Sequence, residues 1–141
     1  MALSHSTAQA NGTLSGSPAV GGTTYNSGLI NIYTGSAPAN ANAAVTGTLL
    51  AAVTMNSTAF AAPSGGVLTA GAMSSVTIAA TGTAGYGRMV TSADTGALVT
   101  TTQARVQFAV GTSGSDMNFN TLSLVSGGSF TITSLTYTHP A

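Results

Sequence analysis

Residues 104–110, ARVQFAV, alternate strictly, with Val106, Phe108 and Val110 on one side of an extended chain and Arg105, Gln107 and Ala109 on the other. A repeat of two is the period of a β-strand and not of a helix. The same period governs LINIYT (29–34), where Ile30 and Ile32 oppose Leu29 and Asn31, and GTLLAAVTM (47–55), where Leu49, Ala51, Val53 and Met55 share a face. Further runs of this kind are SSVTIAA (74–80), GYGRMVT (85–91), GALVTTT (96–102), FNTLSLV (119–125) and GSFTITSLTYTH (128–139). Gly, Ser and Asn separate them, so each reads as a short strand bounded by turns. About eight strands at spacings of roughly 8–12 residues predict an all-β fold, an antiparallel β-sandwich of the jelly-roll kind.

In the last run Phe130 and Ile132 share one parity, and Leu135 and Tyr137 share the other. That switch predicts a bulge near Thr133–Ser134, or a strand that touches two layers in succession. Only PANANAAV (38–45) offers a helical turn or two, with Pro38 near its start, and Asn40 and Asn42 lower its propensity. Residues 1–27 are interrupted by Gly12, Gly16, Pro18, Gly21 and Gly22. They read as an extended N-terminal arm, leaving 28–141 as one sandwich domain.

Charge is the other constraint. Two basic residues, Arg88 and Arg105, balance two acids, Asp94 and Asp116, and only 3% of residues are charged. An ordinary globular domain carries roughly 25%. Disorder does not follow, because 43% of the chain is hydrophobic and disordered chains are poor in apolar residues and rich in net charge. A β-fold surfaced with Thr, Ser, Ala, Asn and Gly is expected instead. Such a surface is cheap to desolvate and suits permanent contact with other protein. Nucleic-acid binding is disfavoured, since phosphate neutralisation needs clustered Lys and Arg, and the chain contains no Lys. Cysteine is absent, which excludes disulfides and thiolate metal sites. No apolar run approaches the ~20 residues of a membrane span. The start MALSHSTAQANGT lacks the basic and apolar regions of a secretory signal, so synthesis and assembly in the cytoplasm are expected.

Four local patterns touch on chemistry. In SADTGA (92–97), Asp-Thr-Gly-Ala resembles the active-site loop of aspartic proteases, where two such loops share a proton between two carboxylates. Ser92 and Ala93 replace the hydrophobic strand end expected before such a loop, so a turn joining strands 85–91 and 96–102 is the preferred reading. TGTAGYG (81–87) lacks the Lys-Ser/Thr and the helix of a phosphate loop, and reads as an inter-strand loop with Tyr86 packing. VGTSGSD (110–116) holds Ser113, Ser115 and Asp116, but a nucleophile needs a positioned base, and the histidines, His5 and His139, lie near the two ends. Those two imidazoles alone make an incomplete metal site. Asn11-Gly12-Thr13 and Asn56-Ser57-Thr58 match the glycosylation pattern by chance in a Thr-rich chain. No enzyme, metal or cofactor is expected. Among the tyrosines, Tyr25, Tyr33 and Tyr137 are the candidate interface anchors, since a tyrosine joins apolar area to one hydroxyl. The edge of a sandwich core would suit them equally.

The string GLINIYTGSAPANANAAVTGTLLAAVTM (28–55), with the Gly/Thr-rich strands that close the chain, is similar to the small cement or decoration proteins of tailed bacteriophages. The neutral, β-rich composition matches that family along the whole chain. The resemblance implies a jelly-roll homodimer on the outer surface of a virion capsid, without enzymatic activity. Its partner would be the major capsid protein, whose neighbouring copies it would clamp against internal DNA pressure. The arm 1–27 and the closing LTYTHPA would reach neighbouring subunits. Two other readings stand beside this one: a tail or fibre β-module that binds a host glycan through Asn-rich loops, and an aspartic peptidase dimer centred on Asp94.

Overall fold

In the computed structural model, residues 4–7, 23–65 and 67–138 are described, and the elements among them are all strands. In chain order these are β1 (Ser4–His5), β2 (Leu29–Thr34), β3 (Leu49–Thr54), β4 (Val67–Thr69), β5 (Val76–Thr77), β6 (Gly82–Val90), β7 (Arg105–Gly111), β8 (Met117–Phe119), β9 (Ser123–Leu124), β10 (Ser129–Phe130) and β11 (Ile132–Thr138). The chain is all-β, as the alternating runs predict.

The alternation of β2 and β7 meets on β6, which lies between them. Ile30 pairs with Val53 and Met89, and Met89 pairs with Val106; Ile32 pairs with Ala51 and Gly87, and Gly87 pairs with Phe108. Paired residues of neighbouring strands share a face, so these rows make one continuous apolar surface. Nearly all of it is removed from water, and each fully buried Ile, Val or Phe contributes about 1.5–3 kcal/mol. The sheet runs β3-β2-β6-β7-β8-β11-β4, with β1 on β7 and β9 on β6, and it curls until its two ends share one core. Met117 of β8 lies against Gly87 of β6, where an added Cβ would stand 3.2 Å from its sulfur. Phe119 meets Phe130 edge to face, with centroids 4.8 Å apart. The small β10–β5 pair closes the core with Phe130 and Ile78.

Several expected boundaries move. The parity switch in 128–139 divides the run at Thr131: β10 joins β5 while β11 joins β8 and β4, and the β8 register shifts between Ile132 and Ser134. The run 119–125 splits between β8 and β9, and 96–102 forms no strand. Pairing is antiparallel except where β7 and β8 run parallel over Val110–Met117 and Gly111–Asn118. Within the segment read as an arm, Ser4 and His5 pair with Gln107 and Val106 of this chain's own β7. Residues 4–7 therefore add an edge to their own sheet instead of reaching outward. The other arm residues before 23, and His139, Pro140 and Ala141, lie outside the described residues.

The run TGTAGYG, read above as a loop, belongs mostly to β6. Its glycines are there for close approach. Between the pairs Tyr33–Tyr86 and Thr34–Ala84, Gly85 is the extra residue of a bulge. A Cβ at that position would stand 1.8 Å from the carbonyl oxygen of Gly35. Gly85→Ala should therefore push the β2–β6 pair apart and lower stability by about 1–3 kcal/mol, read as a drop in the urea midpoint. An unchanged midpoint would contradict the close approach.

Candidate functional site

The second face of the same three strands is polar. Asn31 of β2 pairs with Arg88 of β6, which pairs with Gln107 of β7. In the next rows Tyr33 pairs with Tyr86, and Val90 with Arg105. Alternation alone would turn these side chains to water. Instead Asn31, Arg88, Arg105 and Gln107 are all buried, with Arg88 at 0% exposure and Arg105 at 2%. Two loops, 35–48 and 91–104, roof them over.

The roof is fastened by the arginines. Arg105 makes a two-pronged ion pair with Asp94: Nε donates to Oδ2 at 2.6 Å and Nη2 to Oδ1 at 2.9 Å. Its Nη1 donates to the Leu98 carbonyl at 2.7 Å. Arg88 donates through Nη1 to the carbonyls of Ala43 and Gly96, both at 2.8 Å, and through Nη2 to Gln107 Oε1 at 2.6 Å. Gln107 Nε2 in turn donates to Ser4 Oγ and the Pro38 carbonyl. Asn31 Nδ2 donates to the Thr95 carbonyl. The two loops are also stitched to each other, Val45 N to Ala97 O at 3.0 Å and Thr100 N to Asn42 O at 2.9 Å. Ser6 Oγ accepts from Arg105 N and donates to the Gln103 carbonyl, which ties β1 to the same cluster.

Two guanidinium groups and one carboxylate leave one positive charge in excess inside the protein. Backbone carbonyls of Ala43, Gly96 and Leu98 and the amide oxygen of Gln107 face it, supplying negative dipole ends. Burial opposes ionisation of Asp94, but hydrogen bonds from Arg105 and from Gly96 N–H, with the nearby charges of Arg105 and Arg88, outweigh it. The carboxyl is held below its ordinary value. Burial also pushes the Arg88 guanidinium down, against the opposing pull of Tyr86.

Asp94 is thus the partner of an arginine and not a proton shuttle, and the turn at 92–95 does not join two strands. The carbonyls of Gly96 and Leu98 are taken by arginines and are not free for a neighbouring strand, and Gly96 has φ +78°. That is why 96–102 stays irregular. The loop 112–116 is closed locally: Ser115 N donates to Asn118 Oδ1, and Asn118 Nδ2 donates to the Ser115 carbonyl. His139 lies outside the described residues, and among those described no group of three or more His, Cys, Asp or Glu side chains gathers to hold a metal.

Of the two places open to the candidate tyrosines, the interior is the one they occupy in this chain. Tyr25 is fully buried in the apolar core, and burial raises its hydroxyl pKa strongly. Tyr33 stacks on Tyr86 at 5.2 Å beneath the roof, and Tyr137 of β11 is buried opposite Leu68. None has ring surface to offer a partner. Apolar exposure lies elsewhere, at Leu98, Val99, Val125 and Leu49. Of the four charged side chains in the chain, three belong to the buried network. Asp116, half-buried before β8, is the remaining one. The exterior is even more neutral than composition suggests. Local alternation carries no signal for this, since these positions read as the solvated face of a strand.

Comparison of the chain with protein-family models, with curated proteins and with solved structures finds no match.

Asp94→Asn should destabilise the fold by about 3–5 kcal/mol near neutral pH, because it leaves Arg105 buried without its counter-ion. The folded carboxyl titrates below its unfolded value of about 3.9, so its stabilisation is complete above that pH and is lost as pH falls through the folded value. The stability gap between wild type and Asp94→Asn should therefore narrow progressively as pH falls below about 4. A gap that stays constant in urea titrations down to pH 2 would contradict the ion pair.

Proposed function

We propose that this chain is a non-enzymatic structural protein of a phage virion that binds the outer surface of the capsid and clamps neighbouring major capsid proteins. The observation that carries the reading is the inward turning of charge: a side-chain exterior with Asp116 as its one acid and no exposed Lys or Arg. Charged side chains are costly to desolvate in a permanent contact, whereas Thr, Ser, Ala and Asn are not. The same neutrality argues against partners that need steering, such as nucleic acid. The resemblance of 28–55 to phage cement proteins supplies the class of partner and the jelly-roll, dimeric form.

The glycan-binding reading is disfavoured by the aromatics. All four Tyr and all four Phe are buried, and Trp is absent. A sugar ring stacking on an exposed aromatic face has nothing to stack on.

Immunogold labelling of purified particles of the source phage should mark the shell. Label confined to the tail would favour the fibre reading, and unlabelled particles would overturn both. Occupancy should also survive washing from ~0.1 M to ~1 M NaCl, over which the Debye length falls from about 10 Å to about 3 Å. Stripping by salt alone would contradict an uncharged interface.

A further inference from the structure

Leu98 and Val99 are neighbours in the chain, and they are 74% and 71% exposed. Single exposed apolar residues are ordinary. Two consecutive ones are less so. The chain bends at Leu98 within an irregular segment, and neither side chain is covered by the rest of the protein.

A loop with two exposed aliphatic side chains would normally be mobile. Here the backbone is fixed on both flanks and at the tip itself. Asp94 Oδ1 accepts from Gly96 N, Ala97 O accepts from Val45 N, Leu98 O accepts from Arg105 Nη1, and Thr100 N donates to Asn42 O. Arg105 is fixed in turn by Asp94, whose two oxygens it grips. A buried ion pair is seldom the most stable way to fill a core. Three further atoms of this face, Asn31 Oδ1, Arg88 Nε and Tyr86 OH, make no hydrogen bond among the described residues. Stability alone would favour an apolar filling, so the arrangement reads as one that fixes a shape.

We propose that Leu98–Val99 is a pre-ordered docking anchor, and that Asp94 and Arg105 are its positioning residues. The occupant it fits is an apolar pocket in a neutral protein surface. The tip itself has no charged side chain, and the loop it is stitched to exposes Asn40, Ala44 and Thr46. A charged partner would lose solvation here without compensation. A lipid surface is a poor fit, since interfacial loops rely on aromatic and basic side chains, and every aromatic and arginine of this chain is buried. Fixing the tip in advance removes the ordering cost from binding, and a pair of aliphatic side chains entering a pocket is the form a binding hot spot takes.

This inference rests on the capsid reading above and names the contact within it. Particles freed of the chain are reloaded with purified full-length variants, and occupancy is measured by quantitative mass spectrometry. Leu98→Ser/Val99→Ser should keep the wild-type unfolding midpoint and lose occupancy by about tenfold or more. Val125→Ser, an exposed apolar residue outside the loop at 61%, should lose none. Asp94→Asn should lower both the unfolding midpoint and occupancy in the wild-type background, but in the Leu98→Ser/Val99→Ser background it should lower only the midpoint. Unchanged occupancy of the Ser/Ser variant while wild type binds would overturn the anchor and leave the capsid reading intact. An equal further loss on adding Asp94→Asn would overturn the positioning role. Should Asp94→Asn not fold at the assay temperature, the Ser/Ser variant against Val125→Ser still decides the anchor. Failure of wild type to bind at all would overturn the capsid reading and its pocket together.

Discussion

The ion pair between Asp94 and Arg105 is the contact on which the polar half of this protein depends. It is short-range in space and in sequence, eleven residues apart, with both carboxylate oxygens engaged. From it the loop 91–104 takes its path, because Gly96 N caps the same carboxylate and Leu98 O is bound by the same guanidinium. Arg88 then secures the second loop through Ala43 and the first through Gly96. Without these two arginines, the face bearing Asn31, Tyr33, Tyr86 and Gln107 would have no cover, and an apolar-on-one-side sheet would show water a conventional polar surface.

The arrangement inverts the usual use of charge. Most proteins keep ionic groups outside, where solvation is cheap and repulsion keeps molecules apart. Here the charge is enclosed where it organises backbone, and the exterior is left to hydroxyls, amides and methyl groups. Such a molecule gains little from long-range electrostatic steering and loses little when its surface is covered. Those two properties suit a component of an assembly that binds once and stays.

Much of the fold was legible because one face of each long strand is apolar. Ile30 and Ile32, Val106 and Phe108, and the parity switch around Thr133 all follow from local alternation, and β2 lies where its residues predict. The polar face was not legible, since Arg88, Arg105 and Gln107 alternate as a solvated face would, and only the distant loops that cover them make it an interior. GALVTTT looked like a strand for a related reason: its composition suits one, but two of its carbonyls serve arginines. β1 has no apolar pattern and is held by backbone pairing and Ser6, so it passed for part of an arm. Tyr25, Tyr33 and Tyr137 were ambiguous between anchor and core; the rings of Tyr25 and Tyr137 lie in the core and that of Tyr33 beneath the roof. The exposed pair Leu98–Val99 falls in the same run as GALVTTT, and its exposure follows from the path of the loop, which local alternation does not encode.

Both guanidinium groups are locked inside the protein. Because the chain has only two arginines, a ¹⁵N spectrum of the side chains resolves them without ambiguity. At neutral pH the Nε–H signals of Arg88 and Arg105 should both be visible, shifted from the free-arginine position, and slow to exchange with solvent. Two signals at the free-arginine shift, or broadened away by exchange at solvent-exposed rates, would contradict the buried network and the neutral exterior that follows from it.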